Sequence, residues 1–366
     1  MEKLTRTLGE PAVSVLLHAK AAANHIPLSG TFELTSRCNL HCKMCYICGK
    51  KHYELTAEQW ITLGARTKEQ GMVFLLLTGG EPLMHPEFDE IYTAFASMGF
   101  VLSVNTNGTL LHKKIDLFRA CPPSRLNVSL YGASDETYTA LCGAPMFDRV
   151  LRNIDTVRDM GIDVRANCTL TPFNAKDIEK VHALCAERNI PLKTATYLYP
   201  PVRRTPDAYG CNTGRFSPEQ AAQMRMVCNR LRLDKQAFHA QAQALWDGTL
   251  QTRICPDDEA HCRAGVTAFW IDCKGGMHAC GMLSDTPADT LTEPFDVCWK
   301  KVQTFAAAIR MPKACGICRY RGFCGVCPAA CKSETGSFTE APDYLCKMSA
   351  QTASLVREYL SKGGRT

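Results

Sequence analysis

Short apolar runs alternate with amphipathic stretches between about residue 30 and residue 200. Six runs have the length and the β-branched or aromatic content of buried strands, and they cover residues 31–35, 73–78, 100–105, 126–130, 163–170 and 192–198. Helical patterns lie between them, over 57–69, 147–160 and 175–187. The first is preceded by Thr56, with Gln59 three residues on, which is a capping-box pattern. Repeated strand–helix alternation predicts a parallel sheet covered by helices.

The order of these elements favours a barrel over a dinucleotide-binding fold. No glycine-rich dinucleotide fingerprint follows the first predicted strand, which argues against a Rossmann fold. The sequence therefore predicts an α/β protein with a partial (β/α)6 TIM-type barrel. In such a barrel the functional loops follow the carboxyl ends of the strands.

The pattern changes after Pro200-Pro201. Ser217-Pro218 begins a further helix, and residues 255–346 consist of short segments with many glycines and paired cysteines. A core of this kind is usually organised by metal. The predicted division is an N-terminal extension (1–29), the barrel (30–216), connecting helices (217–254), a small cysteine-rich α+β domain (255–347), and a C-terminal helix and tail (348–366).

The cysteine content of the chain indicates a redox or metal function. The 366 residues include 21 cysteines. The net charge is +6 without a run of five or six like charges, so nucleic acid is not an expected partner. No apolar run reaches the roughly 18–20 residues of a membrane span, and the first residues lack a signal-peptide core. We therefore expect a cytoplasmic protein without a membrane partner. In that reducing compartment, many cysteines indicate metal or redox chemistry.

The first cysteine motif follows the first predicted strand. Cys38, Cys42 and Cys45 have the spacing C-x3-C-x2-C. Three thiolates on one loop can hold three irons of a [4Fe–4S] cube and leave the fourth iron open for another ligand. The alternative is a zinc site, with His41 or Cys48 as the fourth ligand.

This segment resembles the radical SAM superfamily, whose signature has this cysteine spacing after the first strand. Glu81 ends the segment Thr78-Gly79-Gly80-Glu81, which matches the family motif that binds the SAM amino group, and the carboxylate can accept its hydrogens. Arg165 is a candidate partner of the SAM carboxylate. Many relatives carry Asp where this chain has Tyr131. The residues that the resemblance assigns to SAM are Gly79, Gly80, Glu81, Asn107, Ser129 and Arg165.

The second cysteine cluster resembles the SPASM extension of radical SAM enzymes. This resemblance implies two auxiliary [4Fe–4S] clusters, each with four thiolates. The first would use Cys255, Cys262, Cys280 and Cys327, and the second Cys315, Cys318, Cys324 and Cys346. The spacing Cys324-x2-Cys327 is one residue shorter than the usual pattern, so Cys331 is an alternative to Cys327. Structural zinc is the alternative for both sites.

The resemblance implies a radical SAM oxidoreductase with SAM and three [4Fe–4S] clusters. The expected substrate is a side chain of a ribosomal peptide or protein. Only 37 residues precede Cys38, which suggests either a separate recognition protein or a substrate without a leader. A flavodoxin- or ferredoxin-type protein would donate electrons. Gly281 follows Cys280 where sulfatase-maturating relatives carry an Asp base, so formylglycine formation is not expected.

Two alternatives remain for the function. One is the oxidation or decarboxylation of a small molecule, as in SPASM-bearing haem-pathway enzymes. The other is a non-enzymatic iron–sulfur electron carrier. No catalytic acid or base is assigned. The weakly indicated candidates near strand ends or cluster loops are Tyr131, Tyr197, Tyr199, His85 and Asp272.

Overall fold

The computed structural model describes residues 12–46, 53–200, 214–249, 258–260, 262–283, 285 and 288–364. Its first six strands are β1 (Ser29–Glu33), β2 (Phe74–Thr78), β3 (Val101–Thr106), β4 (Arg125–Ser129), β5 (Val164–Thr169) and β6 (Leu192–Ala195). All neighbouring pairs among them are parallel, in the order β6-β5-β4-β3-β2-β1. Strands that are consecutive in sequence are thus neighbours in space, as in a barrel. The partial-barrel prediction is confirmed.

Helices connect these strands and cover one face of the sheet. Those of the barrel half are α1 (Ala12–Ala23), α2 (Ala57–Glu69), α3 (Phe88–Ser97), α4 (Ile115–Ala120), α5 (Asp135–Cys142), α6 (Phe147–Asp159) and α7 (Ile178–Glu187). The capping box predicted at Thr56 is present, since its side chain accepts from the Gln59 N–H and the Gln59 side chain accepts in return. On β5, Ala166 and Cys168 are buried, whereas Arg165 is exposed. Alternate residues therefore face the helices and the barrel interior.

The remaining elements follow residue 214. The helices are α8 (Pro218–Arg232), α9 (Lys235–Trp246), α10 (Phe295–Ala308), α11 (Lys313–Gly316), α12 (Pro328–Thr335) and α13 (Asp343–Ser361), and the strands are β7 (Ala268–Ile271), β8 (Gly276–His278) and β9 (Ala288–Asp289). Ser217 caps α8 with a second capping box. The closing helix was predicted from residue 348, but α13 begins at Asp343 and so holds Cys346 in its first turn.

The C-terminal part continues the barrel sheet. β7 pairs in parallel with β1, and β8 and β9 follow as antiparallel strands, so the sheet has nine strands. Phe269 and Ile271 of β7, and Cys298 and Trp299 of α10, are buried in the same apolar core as the barrel residues. The expectation of a metal-organised core after residue 255 is therefore incomplete, because apolar packing against β1 also organises this region.

No helix in the described ranges is long and apolar enough to cross a membrane.

Candidate cofactor sites

The loop with the first three cysteines follows β1 and is held by the end of α5. The His41 N–H donates to the Cys142 carbonyl at 2.9 Å, and the Lys43 N–H donates to the Leu141 carbonyl at 2.9 Å. These carbonyls belong to the last turn of α5, where the helix itself provides no donors. The loop thus uses free helix carbonyls to fix its backbone between the cysteines.

Two N–H groups point at the sulfur of Cys38. The Leu40 backbone N–H lies 3.4 Å from Cys38 Sγ, and the Asn107 side-chain amide lies 3.8 Å from it. Burial raises the pKa of the Cys38 thiol to about 12. The thiol therefore keeps its proton in the metal-free protein, and iron has to displace it, since the thiolate is the ligand. Donors around a sulfur on a short loop fit an iron–sulfur ligand.

Gly79 and Gly80 lie against the backbone that leads into this loop. A Cβ atom at Gly79 would lie 2.6 Å from the Thr35 carbonyl oxygen, and one at Gly80 would lie 2.3 Å from that of Arg37. The two backbone segments also form two hydrogen bonds. The Gly80 N–H donates to the Thr35 carbonyl at 2.8 Å, and the Glu81 N–H donates to the Arg37 carbonyl at 2.7 Å. The two glycines are thus required for packing of β2 against the cysteine loop.

Glu81 is fully buried and accepts hydrogen bonds from its own chain. Its Oε1 accepts from the Thr106 hydroxyl at 2.8 Å and the Leu83 N–H at 3.2 Å, and its Oε2 accepts from the Asn107 N–H at 2.7 Å. Burial raises the pKa of this carboxyl to about 7, although the three donors oppose the shift. The carboxylate therefore ties β2 to β3 at the carboxyl edge of the sheet.

Asn107 connects this edge to the cysteine loop. Its side-chain amide donates to Asn39 Oδ1 at 2.9 Å, and its Oδ1 accepts from the Thr109 hydroxyl at 2.7 Å. Asn39 in turn donates to that hydroxyl at 2.8 Å. Three side chains from two loops thus form a closed network next to Cys38.

Ser129 and Arg165 have different positions. Ser129 ends β4, and its side chain hydrogen-bonds Tyr131, whose ring lies close enough to Cys42 for that thiol to influence its pKa. Arg165 is the second residue of β5, its side chain is 47% exposed, and its Nε lies 3.9 Å from Asp163. Four residues of strand, about 13 Å, separate Arg165 from the carboxyl end of β5. The structure brings Ser129 to the cysteine loop but not Arg165.

Three of the cysteines predicted for the first auxiliary site line one cavity. Cys262, Cys280 and Cys327 share a cavity of about 560 Å³ with the small side chains Ala260 and Ala279. Cys255, the fourth predicted ligand, lies outside the described residues. Cysteines more than 60 positions apart in the sequence thus line one cavity.

All four cysteines predicted for the second auxiliary site line another cavity. This smaller space, about 40 Å³, is bordered by Val326, Leu345 and Arg321, and its cysteines are Cys315, Cys318, Cys324 and Cys346. Burial raises the pKa of Cys315 to about 11. The first turn of α13 supplies Cys346, so the early start of that helix completes the group.

Cys331 lines neither cavity. It is fully buried in α12 and packs in the main apolar core. Among the described residues, no three His, Cys, Asp or Glu side chains stand close enough to share a single metal ion. The cysteine groups are therefore defined by the cavities that they line.

The structure also adds contacts that the sequence pattern did not indicate. Cys142 hydrogen-bonds Cys42, and this contact is the largest cause of a raised Cys42 pKa. His278 Nε2 bonds Asp272 at 3.0 Å, while its buried Nδ1 has no hydrogen-bond partner. His85 Nε2 bonds the Leu55 carbonyl and its Nδ1 accepts from the Glu87 N–H. Single cysteines and histidines carry no spacing pattern, so only the fold could reveal these contacts.

Comparison with known proteins agrees with this arrangement. Residues 32–185 match the model of the Radical SAM superfamily. The chain is 26% identical over 349 residues to the AdoMet-dependent heme synthase of Methanosarcina barkeri, which covers 88% of this chain and 97% of the relative. It is 31% identical over 144 residues to a probable GTP 3',8-cyclase of Pyrobaculum aerophilum, over 38% of this chain and 46% of the relative.

Two solved structures share the fold over most of the chain. Streptococcus suis SuiB bound to the precursor peptide SuiA has a TM-score of 0.68 at 17% identity, over 94% of this chain and 83% of that one. Native anSMEcpe with bound AdoMet and Kp18Cys peptide has a TM-score of 0.70 at 16% identity, over 92% of this chain and 99% of that one.

The fold and the cysteine loop define an enzyme that uses SAM and a [4Fe–4S] cluster. Residues 32–185 of the chain match the Radical SAM superfamily, and the cysteine-rich C-terminal region lies outside that match. Because members of this superfamily are enzymes, a purely electron-carrying role has no further support.

Proposed function

We propose that this protein oxidises its substrate by radical SAM chemistry and passes an electron to two auxiliary [4Fe–4S] clusters. The observation that carries the proposal is the grouping of cysteines, with three on the loop after β1, three on one cavity and four on a second cavity. A cube with three thiolates keeps an iron for SAM, whereas a cube with four is closed and suits electron transfer. Cys327 is preferred to Cys331 because it shares a cavity with Cys262 and Cys280.

The residues of the chain divide the work at the first site. Cys38, Cys42 and Cys45 would hold the cube, and the Glu81–Asn107 network would keep their loop in register with β3. When bound, the cube and SAM supply a 5′-deoxyadenosyl radical that removes a hydrogen atom from the substrate. The backbone of Gly79 and Gly80, together with Ser129, would bind the methionine part of SAM. The assignment of Arg165 to the SAM carboxylate has the least support, because Arg165 lies far from the carboxyl end of β5.

For the substrate, we propose a side chain of a ribosomal peptide or protein. Support comes from the fold that the chain shares with the two peptide-bound structures, over more than nine-tenths of its length. Formylglycine formation is not part of the proposal. A Cβ at Gly281 would lie 2.7 Å from the Trp270 ring, so this site does not accommodate an Asp after Cys280.

The second candidate is the oxidation or decarboxylation of a small molecule. It is favoured by the similarity to the AdoMet-dependent heme synthase, which extends over nearly the whole relative. Either substrate fits the same cofactor set. The proposal also includes a flavodoxin- or ferredoxin-type donor and a separate recognition protein for a peptide substrate. It further includes the reducing cytoplasm, where the described cysteines, none of which forms a disulfide here, would stay reduced.

The first test is the reductive cleavage of SAM. The anaerobically reconstituted protein, incubated with SAM and dithionite, should form 5′-deoxyadenosine, and Cys42→Ala should not. Iron analysis should give about twelve irons per chain, for three cubes of four. A wild-type protein that forms no 5′-deoxyadenosine above the Cys42→Ala background would contradict the proposal.

The second test separates the two substrates. The enzyme is offered either short peptides encoded beside its gene or porphyrins with carboxylate side chains, and the products are analysed by mass spectrometry. Peptide modification lowers the peptide mass by two hydrogens for each cross-link or oxidation, whereas decarboxylation releases carbon dioxide. Substrate deuterium that appears in 5′-deoxyadenosine identifies the true substrate.

A further inference from the structure

A tyrosine hydroxyl touches one sulfur of the first auxiliary group. The Tyr199 hydroxyl lies 3.3 Å from Cys327 Sγ, in a part of the structure where the Tyr199 ring is half-buried. Tyr199 follows β6, while Cys327 directly precedes α12, so the contact joins the barrel to the C-terminal region. Either atom could donate between a neutral thiol and a hydroxyl. A thiolate bound to iron has no proton, so in the loaded site the hydroxyl must be the donor.

The neighbours of Tyr199 hold the hydroxyl in place. Its ring packs edge-on against Tyr197, with the centroids 4.9 Å apart. The Tyr197 hydroxyl donates to Glu334 Oε1 at 2.7 Å, and Glu334 is also ion-paired with Arg215. Both members of that ion pair are largely buried. The Tyr199 ring therefore packs against a side chain that is itself held by a buried ion pair, and this packing orients its hydroxyl towards Cys327.

This hydroxyl carries a proton at neutral pH, because a phenol has an ordinary pKa of about 10. A buried, neutral hydroxyl beside a sulfur is a lasting hydrogen-bond donor. Hydrogen bonds to the sulfurs are among the factors that set the reduction potential of an iron–sulfur cluster.

We propose that Tyr199 is a positioning residue that donates a hydrogen bond to the Cys327 thiolate and raises the reduction potential of the first auxiliary cluster. This inference rests on the proposed function, in which Cys327 ligates that cluster. One-electron reduction adds negative charge to the cluster and its sulfurs without adding a proton. A fixed donor stabilises the reduced form more than the oxidised form, so it makes the cluster a better acceptor for the electron left on the substrate.

The test compares two single hydroxyl deletions. Tyr199→Phe removes the hydroxyl that reaches Cys327, and Tyr197→Phe removes a hydroxyl from the adjacent ring that reaches Glu334 instead. Both are made in full-length Cys42→Ala/Cys45→Ala/Cys315→Ala/Cys318→Ala protein, so that the first auxiliary cluster is the cube left to titrate. The reduced fraction is followed by electron paramagnetic resonance against a series of redox mediators.

We expect Tyr199→Phe to reduce the one-electron equilibrium constant about tenfold, which is about 59 mV towards more negative potential. Tyr197→Phe should leave the midpoint unchanged. An unchanged midpoint in Tyr199→Phe with the cluster fully loaded would overturn the inference but leave the cluster assignment standing. Cys327→Ser tests that assignment separately, because loss of the Cys327 thiolate should abolish the signal or change its g values, and an unchanged signal there would overturn both.

A second variant covers the case in which Tyr199→Phe fails to load iron. Incorporation of 3-fluorotyrosine at position 199 keeps the ring and makes the hydroxyl more acidic, which strengthens its donation. The midpoint should then move to less negative potential. A midpoint equal to that of the unmodified protein would overturn the inference.

Discussion

The cysteine loop after β1 and the two C-terminal cysteine groups are built in different ways. Cys38, Cys42 and Cys45 lie within eight residues, and neighbouring backbone from α5 and β2 holds their loop. The described cysteines of the first proposed auxiliary site, in contrast, are Cys262, Cys280 and Cys327 at the start of α12, which line one cavity. A local loop can present three thiolates and leave one side open, whereas distant segments can surround a site. In this chain the proposed open site is built from one short loop, and the first proposed closed site is built from segments that lie far apart in the sequence.

The largest expected effect separates the roles of the two kinds of site. Cys45→Ala should reduce 5′-deoxyadenosine formation to that of an enzyme-free control, because the cube that binds SAM is lost. Cys315→Ala/Cys318→Ala, which leaves two of the four predicted thiolates of the second auxiliary site, should retain SAM cleavage but lose substrate oxidation. Each variant should lose about four irons per chain. Iron analysis measures the cluster content, and chromatography of 5′-deoxyadenosine measures SAM cleavage. Equal loss of SAM cleavage in the two variants would contradict separate roles for the two kinds of site.

The second prediction tests how closely the loop must be held. Gly80→Ala places a Cβ 2.3 Å from the Arg37 carbonyl oxygen, so the backbone before the cysteine loop has to move. We expect a loss of about 1–3 kcal/mol in unfolding free energy and a fall of about 10²-fold in 5′-deoxyadenosine formation. Thermal unfolding and product analysis measure these quantities.

Gly214→Ala is the matched control for Gly80→Ala. Its Cβ would meet the Phe173 ring at an ordinary 3.6 Å. If the two variants behave alike, close approach of the backbone is not the reason for glycine at position 80.

The third prediction concerns pH and the barrel edge. The Glu81 carboxyl has a pKa of about 7 in the folded chain, against 4.5 as its ordinary value. The folded state thus binds a proton more tightly than the unfolded state, so folding stability should fall as the pH rises from 4.5 to 7 and then level off. This shift in the Glu81 pKa corresponds to about 3 kcal/mol of unfolding free energy.

Chemical denaturation of the metal-free protein at several pH values measures this dependence. Glu81→Gln should abolish that part of it, because the amide does not titrate. If the unfolding free energies of the wild type and the variant depend on pH in the same way, the pKa of the Glu81 carboxyl is not raised by folding, or the carboxyl does not ionise by pH 7.

The smallest expected effect compares two equivalent helix caps. Thr56→Ala removes the cap of α2 in the barrel, and Ser217→Ala removes that of α8, which packs beside α13. Each should cost about 1 kcal/mol of unfolding free energy. Neither should change iron content, because no cysteine is touched. A loss of iron in Ser217→Ala alone would show that the second auxiliary site depends on the packing of α8.

The sequence predicted the elements whose signals are local. The bounds of α2 agree with prediction because Thr56, Gln59 and a 13-residue amphipathic pattern lie together. The parallel pairing of β7 with β1 was not predicted, since Ala268–Ile271 is only four residues long and its partner lies far away in sequence. The grouping of Cys262, Cys280 and Cys327 could be predicted only through the family resemblance. The Cys142–Cys42 and Tyr199–Cys327 contacts depend on tertiary packing, which no single-residue pattern records.

The central place of β1 has a consequence for synthesis of the chain. One edge of β1 pairs with β2 soon after it in sequence, but the other waits for β7, about 240 residues later. At about 5–20 residues per second, the ribosome needs roughly 12–48 seconds to supply that partner. Throughout this interval the nascent barrel has an unpaired edge beside the segment that must capture iron. Cells that load the first cube early would therefore do so on an incomplete sheet, where chaperones and cluster-delivery proteins still have access.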